Sequence, residues 1–276
     1  MDRSMSGAKQ VRRVGSDVPF FASMIGLGSV YVGLVAAMLI ADATVASWAD
    51  ITDALAQREI RYAIWLSLIS CTMTTVLSLW VAVPIGYLMS RYDFRGKALV
   101  NALLDIPIVL PPLVIGISLL ILFQLPAGKF VQDVLGTRVP FMLPAVIIAQ
   151  FAVACAFAVR TMVASFDRID PRREQVALTL GCTRAQAFSS VVLPEARPGM
   201  VTAATIAWAR SLGEFGPILV FAGSFRMRTE VMPTTVFLEL SVGNLEGATA
   251  VSLIMVTVAV FVLIFARKFG SRRSLA

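Results

Sequence analysis

DRIDPRREQVALTLGCTRAQAFSSVVLPEARP, residues 167 to 198, is a polar interruption between two long apolar runs, and its reading decides the fold. Asp170 is placed to cap a helix whose first position, Pro171, lacks an N–H that would go unpaired there anyway. Val176, Ala177 and Leu180 share one face by three-and-four spacing. Gly181 supplies the left-handed residue that closes a helix. Thr183, with Gln186 three residues later, opens a second helix by reciprocal capping, and Pro194 limits its far end. The stretch predicts a charged, capped helical hairpin that touches something in water.

The chain around it is apolar. Its 276 residues are 58% hydrophobic and only 15% charged, and the mean hydropathy is +0.81. That composition describes a polytopic membrane protein, because a soluble domain of this size needs far more polar surface. The expected fold class is all-α, with six transmembrane helices in one bundle: 19–41, then spans within 62–90, 98–125 and 139–160, then 199–225 and 247–266. Residues 1–18 and 267–276 are polar tails flanking a 19–266 membrane domain. A cleavable signal peptide is the rival for 19–41, but its apolar region is normally shorter. The tails, the 91–97 loop and the 167–198 loop hold sixteen Lys and Arg, against six in the opposite loops. Positive charge gathers on the cytoplasmic side, so both termini and the hairpin are expected there. The net charge of +7 is dispersed among loops, which argues against nucleic acid.

Two spans carry features that ordinary spans lack. DIPIVLPP (105–112) places Pro107, Pro111 and Pro112 in the third, where they break the hydrogen-bond ladder and predict a bent helix facing the interior. WARSLGEFGPILVFAG (208–223) places Arg210 and Glu214 four apart in the fifth, either as a packing pair or as a gate beside a pathway. Ser211, Gly213, Gly216 and Pro217 surround that pair, and Asp105 reads as a helix-end charge. The chain has no histidine and three scattered cysteines, so neither a metal site nor a catalytic set is expected. No phosphate-cradling loop occurs, and ATP-driven work would need nucleotide sites on other chains.

Anchored on Gly181, the hairpin resembles the cytoplasmic coupling loop of ABC importer permeases. That family's pattern runs Glu-Ala-Ala, three residues, Gly, nine residues, Ile, one residue, Leu-Pro. This chain has Gln175, Val176, Ala177, Gly181, Val191, Leu193 and Pro194 at those places, with Glu174 just before, so either Glu174 or Gln175 takes the acidic role. DIPIVLPPLVIGISLL and ARSLGEFG are similar to segments of the molybdate, tungstate and sulfate permeases.

The resemblance implies a type I ABC importer permease in a bacterial or archaeal cytoplasmic membrane. It implies a homodimer, two cytoplasmic ATP-binding subunits carrying ATP-Mg, and an extracytoplasmic solute-binding protein, with no cofactor on this chain. Glu174, Gln175, Val176, Ala177, Leu180, Gly181, Leu193 and Pro194 would couple to the ATPase. Arg210, Ser211, Gly213, Glu214, Gly216, Pro107, Pro111 and Pro112 would line or gate the pathway. The expected cargo is molybdate or tungstate, ahead of sulfate or another small anion. A proton-coupled secondary transporter using Asp105 or Glu214 is the alternative.

Overall fold

The computed structural model describes residues 17–45 and 47–271. Most of the N-terminal tail and the end of the basic tail therefore lie outside the described residues. Those residues contain helices and no strand. α1 (Val18–Val45) is a unit of its own. The second unit opens with the short α2 (Trp48–Ala56) and the long α3 (Arg58–Arg91). α4 (Lys97–Val109), α5 (Pro112–Leu122) and α6 (Pro126–Leu135) follow. α7 (Leu143–Asp167) leads into the hairpin, formed by α8 (Pro171–Thr179), α9 (Arg184–Ala187), a π turn (Phe188–Val192) and α10 (Leu193–Glu195). α11 (Arg197–Leu212), α12 (Gly216–Phe221), α13 (Met232–Ser241) and α14 (Leu245–Ser271) complete the chain.

α3 and α7 form the spine of the second unit. The inward face of α3 is a stripe of small side chains at helical spacing: Ala63, Ser67, Cys71, Thr74, Ser78, Ala82 and Gly86, all buried. α7 answers with Ala145, Ala149, Val153, Ala156, Val159 and Met162. In hydrocarbon the lipid tails are as apolar as any leucine, so helices associate by close packing, which small residues permit. Gly86 marks the tightest point: a Cβ there would lie 2.7 Å from the Met162 Cβ. The opposite face of α3 turns Trp65, Met73, Val76 and Trp80 outward.

Among the described residues, four helices are long and apolar enough to cross a membrane alone, and the bent pair α4–α5 makes five. The third expected span is thus broken, with its halves 113° apart. A residue before proline is pushed to extended backbone, and Leu110 (ψ 139°) and Pro111 (ψ 136°) both adopt it. Pro107 does not contribute to the break; it sits inside α4. The expected span 199–225 is also two pieces. α11 has 16 residues, about 24 Å of helix, short of the ~30 Å of hydrocarbon. A sixth crossing therefore requires α11 and α12 to act as one interrupted span.

Candidate functional site

The hairpin is built as its caps dictate. The Asp170 carboxylate accepts the Arg172 N–H at 2.9 Å, and Pro171 takes the first helical position. Gly181 has φ +91°. Around it, Cys182 N–H donates to the Ala177 carbonyl at 3.1 Å and Gly181 N–H to the Leu178 carbonyl at 3.1 Å, the double closure of a Schellman turn. Thr183 and Gln186 then cap each other, at 3.3 Å and 2.8 Å.

One expectation about the second helix is overturned. Pro194 does not end it; the helix continues to Glu195 and the chain passes through Ala196 into α11. Proline has no N–H to close an ordinary turn, and a π turn precedes it, in which the Leu193 N–H reaches back to the Phe188 carbonyl. The hydroxyls of Ser189 and Ser190 donate to the Gln186 carbonyl. Such wide turns are frequent at functional positions.

The predicted coupling residues divide between two faces. Leu180 is 79% and Val176 57% exposed, forming an apolar tip beside Gly181. Gln175 also faces outward. Ala177 and Glu174 turn inward and are buried, so Ala177 is not part of the apolar tip that its spacing predicted. Leu193 and Pro194 are half-buried at the hairpin root. Arg173 and Glu195 join the two hairpin helices at 2.6 Å.

A second constellation lies where the two broken spans meet. α12 packs on α5, and each helix offers a glycine to the other's proline. A Cβ on Gly116 would come within 3.0 Å of the Pro217 Cα, and one on Gly216 within 2.8 Å of the Pro112 Cβ. Just before this crossing, Arg210 and Glu214 pair at 2.8 Å although α11 has already ended. Glu214 is 1% exposed, and the Arg210 guanidinium sits over the Phe157 ring at 5.9 Å. Ser211 and Gly213, two of the expected pathway residues, lie at the end of α11. The Ser211 hydroxyl is buried and donates back to the Ala207 carbonyl at 2.8 Å. Gly213 has φ −85° and no neighbour closer than 3.9 Å, so nothing in the fold requires glycine there.

Several residues that matter are silent in sequence spacing. Gln150, buried on α7, donates to the Ser211 carbonyl at 3.2 Å and accepts the Thr74 hydroxyl at 3.1 Å, tying α3, α7 and the end of α11 together. Asp105 is no helix-end charge: it lies within α4 and meets Arg160 of α7 at 2.5 Å. Arg160 also donates to the Asn101 side chain at 3.0 Å and to its carbonyl at 2.8 Å. A lone arginine inside an apolar run demands such a partner, and that was the available signal. Arg160→Met is expected to destabilise the detergent-solubilised protein by about 1.5–2 kcal/mol, the lower part of the range for charged hydrogen bonds because the pair is half-exposed. An unchanged thermal midpoint would remove this staple. Two buried acids, Glu230 just before α13 and Glu239 within it, were equally hidden. Glu239 is held by Arg226 and Asn244, each at 2.8 Å, and burial raises the Glu230 carboxyl above the ordinary carboxylate range.

The profile of the family described as binding-protein-dependent transport system inner membrane component matches residues 82–274, which takes in the hairpin and both breaks. The sulfate transport system permease protein CysT of Salmonella typhimurium is 27% identical, over 92% of this chain and 94% of its own length. The molybdate/tungstate transport system permease protein WtpB of Pyrococcus abyssi is 38% identical, over 56% of this chain and 58% of its own. A chain in the crystal structure of a bacterial alginate ABC transporter, in complex with an alginate pentasaccharide-bound periplasmic protein, superposes with a TM-score of 0.75 at 16% identity. The match covers 94% of this chain and 96% of that one, a shared fold.

Proposed function

The chain belongs to the binding-protein-dependent transport system inner membrane component family, and from that premise we propose that it is the membrane-spanning subunit of an ATP-driven oxyanion importer, with molybdate or tungstate as cargo. The observation that carries this reading is the apolar tip, Val176 and Leu180, held out on a hairpin whose turn and both helix starts are capped. An exposed apolar pair on a rigid, charged element fits a cleft on a partner protein.

Two copies line one pathway, and two cytoplasmic ATPase subunits receive the 171–194 hairpins. A solute-binding protein delivers the anion from outside. ATP binding draws the ATPases together, the hairpins follow, and the spans swing between inward-open and outward-open. The charge bias of the loops supports a cytoplasmic hairpin with both termini on the same side. Support for molybdate or tungstate comes from the 38% identity of the molybdate/tungstate relative over 56% of this chain, against 27% for the sulfate relative over 92%.

Arg210 and Glu214 act as a gate rather than as packing alone. Replacing both by apolar residues removes two charges together and so leaves no orphaned buried carboxylate. The double variant Arg210→Met/Glu214→Leu is expected to fold with wild-type thermal stability and to lose most anion uptake. Full uptake by that variant would reduce the pair to packing.

The function is tested in liposomes that hold this chain, its ATPase and a loaded binding protein. Labelled molybdate, tungstate and sulfate are offered in turn, with and without ATP. ATP-dependent accumulation of molybdate or tungstate is expected. Preference for sulfate would reassign the cargo, and uptake driven by a proton gradient without the ATPase would establish a secondary transporter instead.

A further inference from the structure

Chain connectivity joins the hairpin to only two membrane helices, α7 through residues 168–170 and α11 through Ala196. α3 has no such covalent link, yet its last turn grips both hairpin helices. The Tyr87 hydroxyl donates to Glu174 Oε1 of α8 at 2.5 Å, and its ring stands edge-on to Phe188 of the π turn, 4.8 Å between centroids. The same ring meets Phe166 near the end of α7 at 5.8 Å. Arg91, one turn further along the same face, lies 3.5 Å from the second Glu174 oxygen. It also donates to the Ile169 carbonyl at 2.9 Å. The acid at the centre of this knot is 8% exposed, whereas Gln175, at the position that aligned with the family's glutamate, faces outward.

We infer that Tyr87 is a positioning residue that locks the hairpin onto the end of α3, so that a displaced hairpin carries α3 and α7 with it instead of bending at its own roots. This rests on the importer reading above. The charge of Glu174 serves a contact inside the permease, while the exposed apolar tip meets the ATPase. Residues Arg168–Asp170 and Ala196 are the covalent links on which the hairpin would otherwise turn. The Tyr87–Glu174 bond adds a link from α3 to α8 that neither of these chain segments supplies.

The test is the ATP hydrolysed per anion taken up by the reconstituted complex. Tyr87→Phe keeps the ring contacts and removes only the hydroxyl. It is expected to copurify with the ATPase as wild type does, to retain hydrolysis stimulated by loaded binding protein, and to consume about tenfold more ATP per anion, the scale of one hydrogen bond to a charged group. Glu174→Leu removes the acceptor of that hydroxyl together with the Arg91 ion pair and is expected to waste at least as much ATP, and the double variant no more than Glu174→Leu alone, since the hydroxyl has already lost its acceptor. A wild-type ratio in Tyr87→Phe, additive losses in the double variant, or loss of ATPase binding in either single variant would each overturn the lock. If the wild-type complex itself shows no ATP-dependent uptake, the importer reading fails instead, so the two failures are distinguishable.

Discussion

Permease carrying Leu180→Asp is expected to reach the membrane in wild-type amount and to lose its ATPase. Leu180 is 79% exposed at the hairpin tip, and substitutions at such a surface usually change folding stability by no more than about 0.5 kcal/mol. Inside a partner's cleft the accounting differs. Truncating a central apolar anchor typically costs at least about 2 kcal/mol, a factor of roughly 30 in affinity, and a carboxylate must also be stripped of water to enter. Val176→Asp, at a less exposed flank of the same tip, is expected to act in the same direction more weakly. Titration of solubilised permease with ATPase measures the effect, and uptake should fall with occupancy. Wild-type affinity in Leu180→Asp would show that the tip does not dock, and the functional proposal would go with it.

Gly216→Val is expected to leave almost no folded protein. A Cβ there falls 2.8 Å from the Pro112 Cβ and 3.1 Å from the Leu113 backbone nitrogen. Neither can retreat, because both belong to the first turn of α5, immediately after the break that fixes its direction. Overpacking ordinarily costs about 1–3 kcal/mol, and a clash with backbone at the junction of two interrupted spans falls at or above the top of that range. Gly216→Ala should show a graded loss in thermal unfolding. Gly213→Ala, three residues away and meeting only an ordinary contact at 3.9 Å, should melt as wild type does. Equal stability of Gly216→Val and wild type would mean that α5 and α12 do not cross as described.

What the sequence made legible was local. Asp170, Gly181 and the Thr183–Gln186 box each act within a single turn, so their spacing alone forecast the hairpin, and Pro111 forecast the break. Arg160 with Asp105, Tyr87 with Glu174, and Gln150 with Ser211 join residues at least 55 positions apart, beyond the reach of any spacing rule. Inside and outside were also hard to tell. In a chain whose lipid-facing surface is as apolar as its core, hydrophobicity does not separate Trp80 on the exterior from Met162 within. Residue size does better, and the small-residue stripe on α3 was the readable sign of a buried face. On α8 the spacing put Ala177 on the exposed tip, because a nine-residue helix has few turns on which to resolve two faces.

The paired glycines and prolines at the α5–α12 crossing bear on how this protein can diverge. Each notch is cut to its counterpart on the other helix, so a larger residue in one is tolerated only if the opposing ridge recedes at the same time. Lineages that reshape this crossing must therefore exchange residues on both helices in concert, and a solitary change at either becomes a dead end.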